Sequence, residues 1–110
     1  MRMTMAELFE RLHALPRSLS GVSLDSRPLT GQSVVMVYDL DALEPDEDRP
    51  ADATRLGLTR DLSVATVVDV VRNAQQQGLA PTLQEFVEGV AYYAERDAFK
   101  EWRARRSEEG

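Results

Sequence analysis

The chain has 110 residues, the usual length of one domain (1–110), and a domain of that size buries roughly two-thirds of the surface its unfolded form exposes. It has no cysteine, which excludes disulfides and thiolate metal sites, and its 43% aliphatic and aromatic content is globular rather than disordered. The net charge of −6 argues against nucleic acid and anionic membranes as partners.

In MRMTMAELFERLHALP the apolar positions are interrupted by Glu7, Glu10, Arg11 and His13. That is neither a signal peptide nor a membrane span, and the expected location is the cytoplasm. The same stretch predicts a first helix over 4–15. Thr4 and Glu7 have capping-box spacing, and Met5, Leu8, Phe9, Leu12 and Leu15 form one apolar stripe that Pro16 ends. His13, the only histidine, lies off that stripe and reads as a surface residue rather than half of a nucleophile pair.

Residues 16–32 contain two prolines and two glycines and read as a loop, with room for a short strand at 21–24. Ser33–Tyr38 (SVVMVY) predicts a strand covered on both faces, because its β-branched and aromatic run is unbroken. Such a strand needs partners for its backbone groups. The two stretches available are 21–26 and LGLT at 56–59.

Residues 39–54 read as an exposed acidic loop carrying Pro45 and Pro50. Between Asp39 and Asp52 seven carboxylates face one cation, Arg49, and the rest of the chain is balanced, so this segment holds the whole charge excess. A second helix is predicted over 63–77, capped by Ser63 and ended by Gly78, with Val64, Val67, Val68, Val71 and Ala74 inward. Its polar residues Asn73 and Gln75–Gln77 read as a solvated face. Thr82 and Glu85 open a third helix to about Glu95, with Leu83, Phe86, Val87, Val90 and Ala91 inward. A short helix over 97–106 would be anchored by Phe99 and Trp102, with fraying at 105–110. Cations toward this end suit a helix C-terminus. The fold class is therefore α+β, three to four helices packed on a small sheet.

Three chemistries compete for the acidic segment. Asp39-Leu40-Asp41 at a strand end is similar to the aspartate pair of haloacid-dehalogenase phosphatases, which implies a small metal-dependent hydrolase. However, Ala42-Leu43 replaces the small-residue turn, and the remaining chain is too short for that fold. For calcium, the EF-hand positions that require Gly and Glu hold Glu44 and Pro50 counted from Asp39, or Asp46 and Asp52 counted from Asp41. Neither register fits, so no metal or other cofactor is expected. The third reading is a docking surface, against the plainer one of a solvated loop.

DVVRNAQQQGLAPTLQEFVEGVAYYAERDAF (Asp69–Phe99), following VYDLD, resembles a small bacterial domain family of uncharacterised function that accompanies polymorphic and contact-dependent toxins. The resemblance implies an immunity-type protein: small, acidic, non-enzymatic, and a tight binder of a basic nuclease or other toxin domain. It carries over no individual contact residue. Charge and side-chain type nominate Asp41, Glu44, Asp46, Glu47 and Asp48 for steering, with Tyr93 and Trp102 as aromatic anchors. The expected state is a monomer or weak dimer, and a self-associating regulatory or structural module is the further alternative.

Overall fold

Alternation along one strand decides the layering. In the computed structural model, which describes residues 1–77 and 81–100, β3 (Val34–Tyr38) sends Val35 and Val37 to one side and Met36 and Tyr38 to the other. All four are buried. The expectation of cover on both faces holds, and each side has its own apolar cluster.

The sheet has four strands in the order β1-β3-β2-β4, every neighbouring pair antiparallel. β2 (Gly21–Leu24) lies where a short strand was expected. β1 (Arg2–Thr4) was not expected. It sets Met3 opposite Val35, and its residues then pass directly into the first cap. β4 is Arg60–Ser63, not the LGLT stretch at 56–59. It sets Val22 opposite Leu62 and Ser23 opposite Asp61.

The helical layer covers the face of Val22, Leu24, Val35 and Val37. α1 (Met5–Arg11) starts at Thr4, whose hydroxyl accepts from the Glu7 amide while the Glu7 carboxylate accepts from the Thr4 amide. Residues 12–14 tighten into a 3-10 turn, so the predicted helix to Leu15 is shorter than expected. Between α1 and β4, residues 39–54 are not wholly loop. They hold a 3-10 turn at 40–42 and a short helix, α2 (Ala51–Arg55).

α3 (Val64–Gln76) is capped by Ser63, which accepts from the Thr66 amide at 3.0 Å. It buries Val67, Val70, Val71 and Ala74. α4 (Leu83–Arg96) repeats the capping box with Thr82 and Glu85 and buries Val87 and Val90. Leu83, expected inward, stays 42% exposed because it sits on the first turn, beside Gly31 rather than over the sheet. Phe9 of α1 and Phe86 of α4 join the two helices, ring centroids 5.6 Å apart.

α4 ends at Asp97, which adopts the left-handed conformation (φ 56°, ψ 37°) and donates its amide to the Tyr93 carbonyl. The predicted helix does not begin at 97, since residues 97–100 are irregular. They turn back toward the helices. The Lys100 ammonium stands 3.6 Å from Glu88, and the Gln77 side-chain amide donates to the Lys100 carbonyl. The expected cap at Gly78, the anchor Trp102 and the fraying end 105–110 lie outside the described residues.

Candidate functional site

The opposite face of the sheet is covered by residues 39–58. Met36 and Tyr38 pack there with Ala53 and Leu58, and Leu43 and Leu56 close the edges. Burying a side chain the size of Met36 or Leu58 contributes ~1.5–3 kcal/mol, so these few residues hold the segment down without making it a full core.

Polar contacts complete the attachment. Ser23 is wholly buried on this face and donates its hydroxyl to Asp61 Oδ1 at 2.5 Å. Arg49, the only cation between Asp39 and Asp52, turns inward. Its Nη2 lies 2.7 Å from Asp61 Oδ2 and its Nη1 donates to the Leu58 carbonyl at 3.1 Å. Both side chains of the pair are only 25% exposed, so the attraction is less screened than on open surface. Arg49 Nε is buried without a partner among the described residues, which offsets part of the gain.

The Tyr38 hydroxyl reaches the same carboxylate at 3.4 Å. Burial pushes its pKa above the ordinary tyrosine value, and the negative charge of Asp61 adds to the rise. Beneath the ring lies Gly21, where a Cβ would come 2.7 Å from two atoms of the Tyr38 side chain. A glycine is needed here for close approach.

Because Arg49 is spent on Asp61, it does not neutralise its acidic neighbours. Asp52 pairs with Arg55 at 3.0 Å on open surface. Two other carboxylates shape the backbone: Asp39 accepts from the Asp41 amide at 2.9 Å, and Glu47 accepts from the Glu44 amide at 3.0 Å. Asp41, Glu44, Asp46, Glu47 and Asp48 are all exposed. The carboxylates of Asp41, Glu44, Asp46 and Asp48 have no hydrogen bond or ion pair among the described residues. What results is a row of hydrated anions on a short stretch of chain fixed at both ends.

The Asp39 carboxylate is engaged in the turn, and among the described residues no group of three or more His, Asp or Glu side chains converges to hold an ion. His13 is exposed, as its place off the stripe predicted.

Tyr93 is not brought together with the acidic row. It is half-buried in the helical layer, against the larger cluster on the other side of the sheet, with Phe99 5.3 Å away between ring centroids. Its neighbour Tyr92 carries the Arg96 guanidinium over its ring at 5.2 Å. The Arg49–Asp61 pair was missed from sequence. Its members are twelve residues apart on different elements, and the one available signal was a single cation inside an acidic run. Among the described residues no helix is long and apolar enough to cross a membrane.

Residues 2–102 match the family model described as "Domain of unknown function (DUF7716)", and the chain belongs to that family. No curated protein and no solved structure shows significant similarity to it.

Proposed function

We propose that this member of the family is a non-enzymatic, immunity-type protein that binds a basic toxin domain, such as a nuclease, and blocks its active-site cleft. The observation that carries the reading is the exposed row Asp41, Glu44, Asp46 and Asp48, which has no counter-ion among the described residues while Arg49 is turned inward to Asp61. A catalytic cleft that binds a polyanion is lined by lysine and arginine, and these carboxylates complement it. Charge of this kind chiefly raises the association rate and selects the partner. The Arg49 attachment adds preorganisation, because the row is held to the sheet before the partner arrives. Chain size, acidity and the resemblance of Asp69–Phe99 to the toxin-associated family support the same reading.

The test begins with the genes flanking this one. We expect one to encode a protein with a basic C-terminal domain that is toxic when produced alone in a bacterial host, and this chain to relieve the toxicity. Stopped-flow association of the two purified proteins should slow by roughly tenfold or more as salt rises through the physiological range. Persistent toxicity in the presence of the chain, or a rate indifferent to salt, overturns the proposal.

A further inference from the structure

We propose that residues 41–58 are a strap that opens from the sheet as one unit while the rest of the fold stays intact, and that the Arg49–Asp61 pair is its latch. The inference holds whatever the acidic row binds. It starts from where the strap's own bonds go. Among the described residues every backbone hydrogen bond donated by 41–58 stays within 39–58: Glu47 donates to Glu44, Thr54 to Pro50, Leu56 to Asp52 and Leu58 to Ala53, and none of them reaches a strand. The bonds to the sheet begin just outside the strap. At one end the Leu40 amide donates to Ser20 Oγ at 3.1 Å, and at the other the Thr59 amide donates to the Leu24 carbonyl at 3.0 Å. Those two bonds keep the ends in place when the middle lifts.

Among the described residues one polar contact crosses from the strap to the sheet, that of Arg49 Nη2 with Asp61 Oδ2 at 2.7 Å. Breaking it leaves neither side stranded. Asp61 keeps the hydroxyls of Ser23 and Tyr38, at 2.5 and 3.4 Å. Arg49 Nε, buried without a partner in the closed strap, gains water once the strap lifts.

The apolar part of the closure is equally local. Met36 and Tyr38 on the sheet meet Ala53 and Leu58 on the strap in a cluster separate from the one beneath the helices. Opening therefore uncovers one face of the sheet and leaves its strand pairing and its helical layer as they are. A segment held by few buried side chains, with its hydrogen bonds kept to itself, opens at a lower free energy than the whole molecule unfolds. The latch thus sets how often Met36 and Tyr38 meet solvent without touching the main core.

The test is amide hydrogen exchange in the full chain, under conditions where closing outruns exchange. The reporters are the amides of Thr54, Leu56 and Leu58, because a helix of five residues does not persist once detached. In the parent they should exchange at least about a hundredfold faster than the interior amides of α3, and urea should speed them less, since opening exposes less surface than unfolding. Arg49→Met should speed them about tenfold further. Val67→Ala, which truncates a wholly buried side chain on the helical side, should speed the α3 amides by about tenfold or more and leave the strap amides unchanged, because that contact survives the opening. Strap amides that share the rate and urea dependence of α3, or that follow Val67→Ala by the same factor, open only with the whole molecule, and the proposal is overturned. Strap amides indifferent to Arg49→Met overturn the latch, since fraying of α2 alone gives that result. The parent's own urea dependence decides the matter if either variant fails to fold.

Discussion

Replacing Arg49 by methionine keeps most of its volume but removes the charge that ties residues 39–58 to Asp61 and to the Leu58 carbonyl. With both side chains of the pair 25% exposed, screening is partial, and Arg49→Met should lower stability by ~1–2 kcal/mol in urea unfolding. Asp61→Asn should act similarly, and the double variant should be no worse than the worse single one, because the two remove one shared contact. Tyr38 adds a pH signature. Its folded pKa lies above the unfolded value of 10.0, so the folded state holds the proton more tightly. That contribution is complete below the unfolded value and is lost as pH rises through the folded one. Tyr38→Phe should therefore lose less stability than the parent as pH rises above about 10, read by urea unfolding across that range.

At the scale of elements, the turn at Asp97 is the place where conformation and residue type conflict most. A positive φ is costly for residues other than glycine, and a carboxylate at a helix C-terminus opposes the macrodipole. Asp97→Gly should raise the unfolding free energy by ~0.5–1 kcal/mol and Asp97→Val should lower it by ~1–2 kcal/mol, both read as shifts in thermal midpoint. Elements fixed by local chemistry were legible in the sequence: the boxes Thr4/Glu7 and Thr82/Glu85, the Ser63 cap, and the unbroken apolar run of β3. β1 and β4 were not. β1 is three residues long and exists through its pairing with β3. β4 carries Arg60 and Asp61, charged residues that give no strand pattern, and Asp61 lies over Ser23 beneath Arg49. In the candidate site the charge row was legible because exposure follows from composition. The inward turn of Arg49 was not, since it depends on which strand lies below it.

At the scale of the molecule, the acidic row should be dispensable for folding. Glu44→Gln, Asp46→Asn and Asp48→Asn remove three like charges from side chains that touch no partner among the described residues. Thermal unfolding of this triple variant should stay within ~0.5 kcal/mol of the parent or rise slightly, as repulsion is relieved. Among the described residues the apolar clusters on the two faces of the sheet are unequal, fourteen buried residues on the helical side and four on the other. The thin side bears the charges, so the hydrophilic tip of that strap can be rewritten residue by residue while the thick side goes on specifying the same architecture. Members of the family can thus diverge along residues 41–48 faster than in how they fold, and, on the docking role proposed above, exchanging that segment between two of them should transfer recognition along with the peptide.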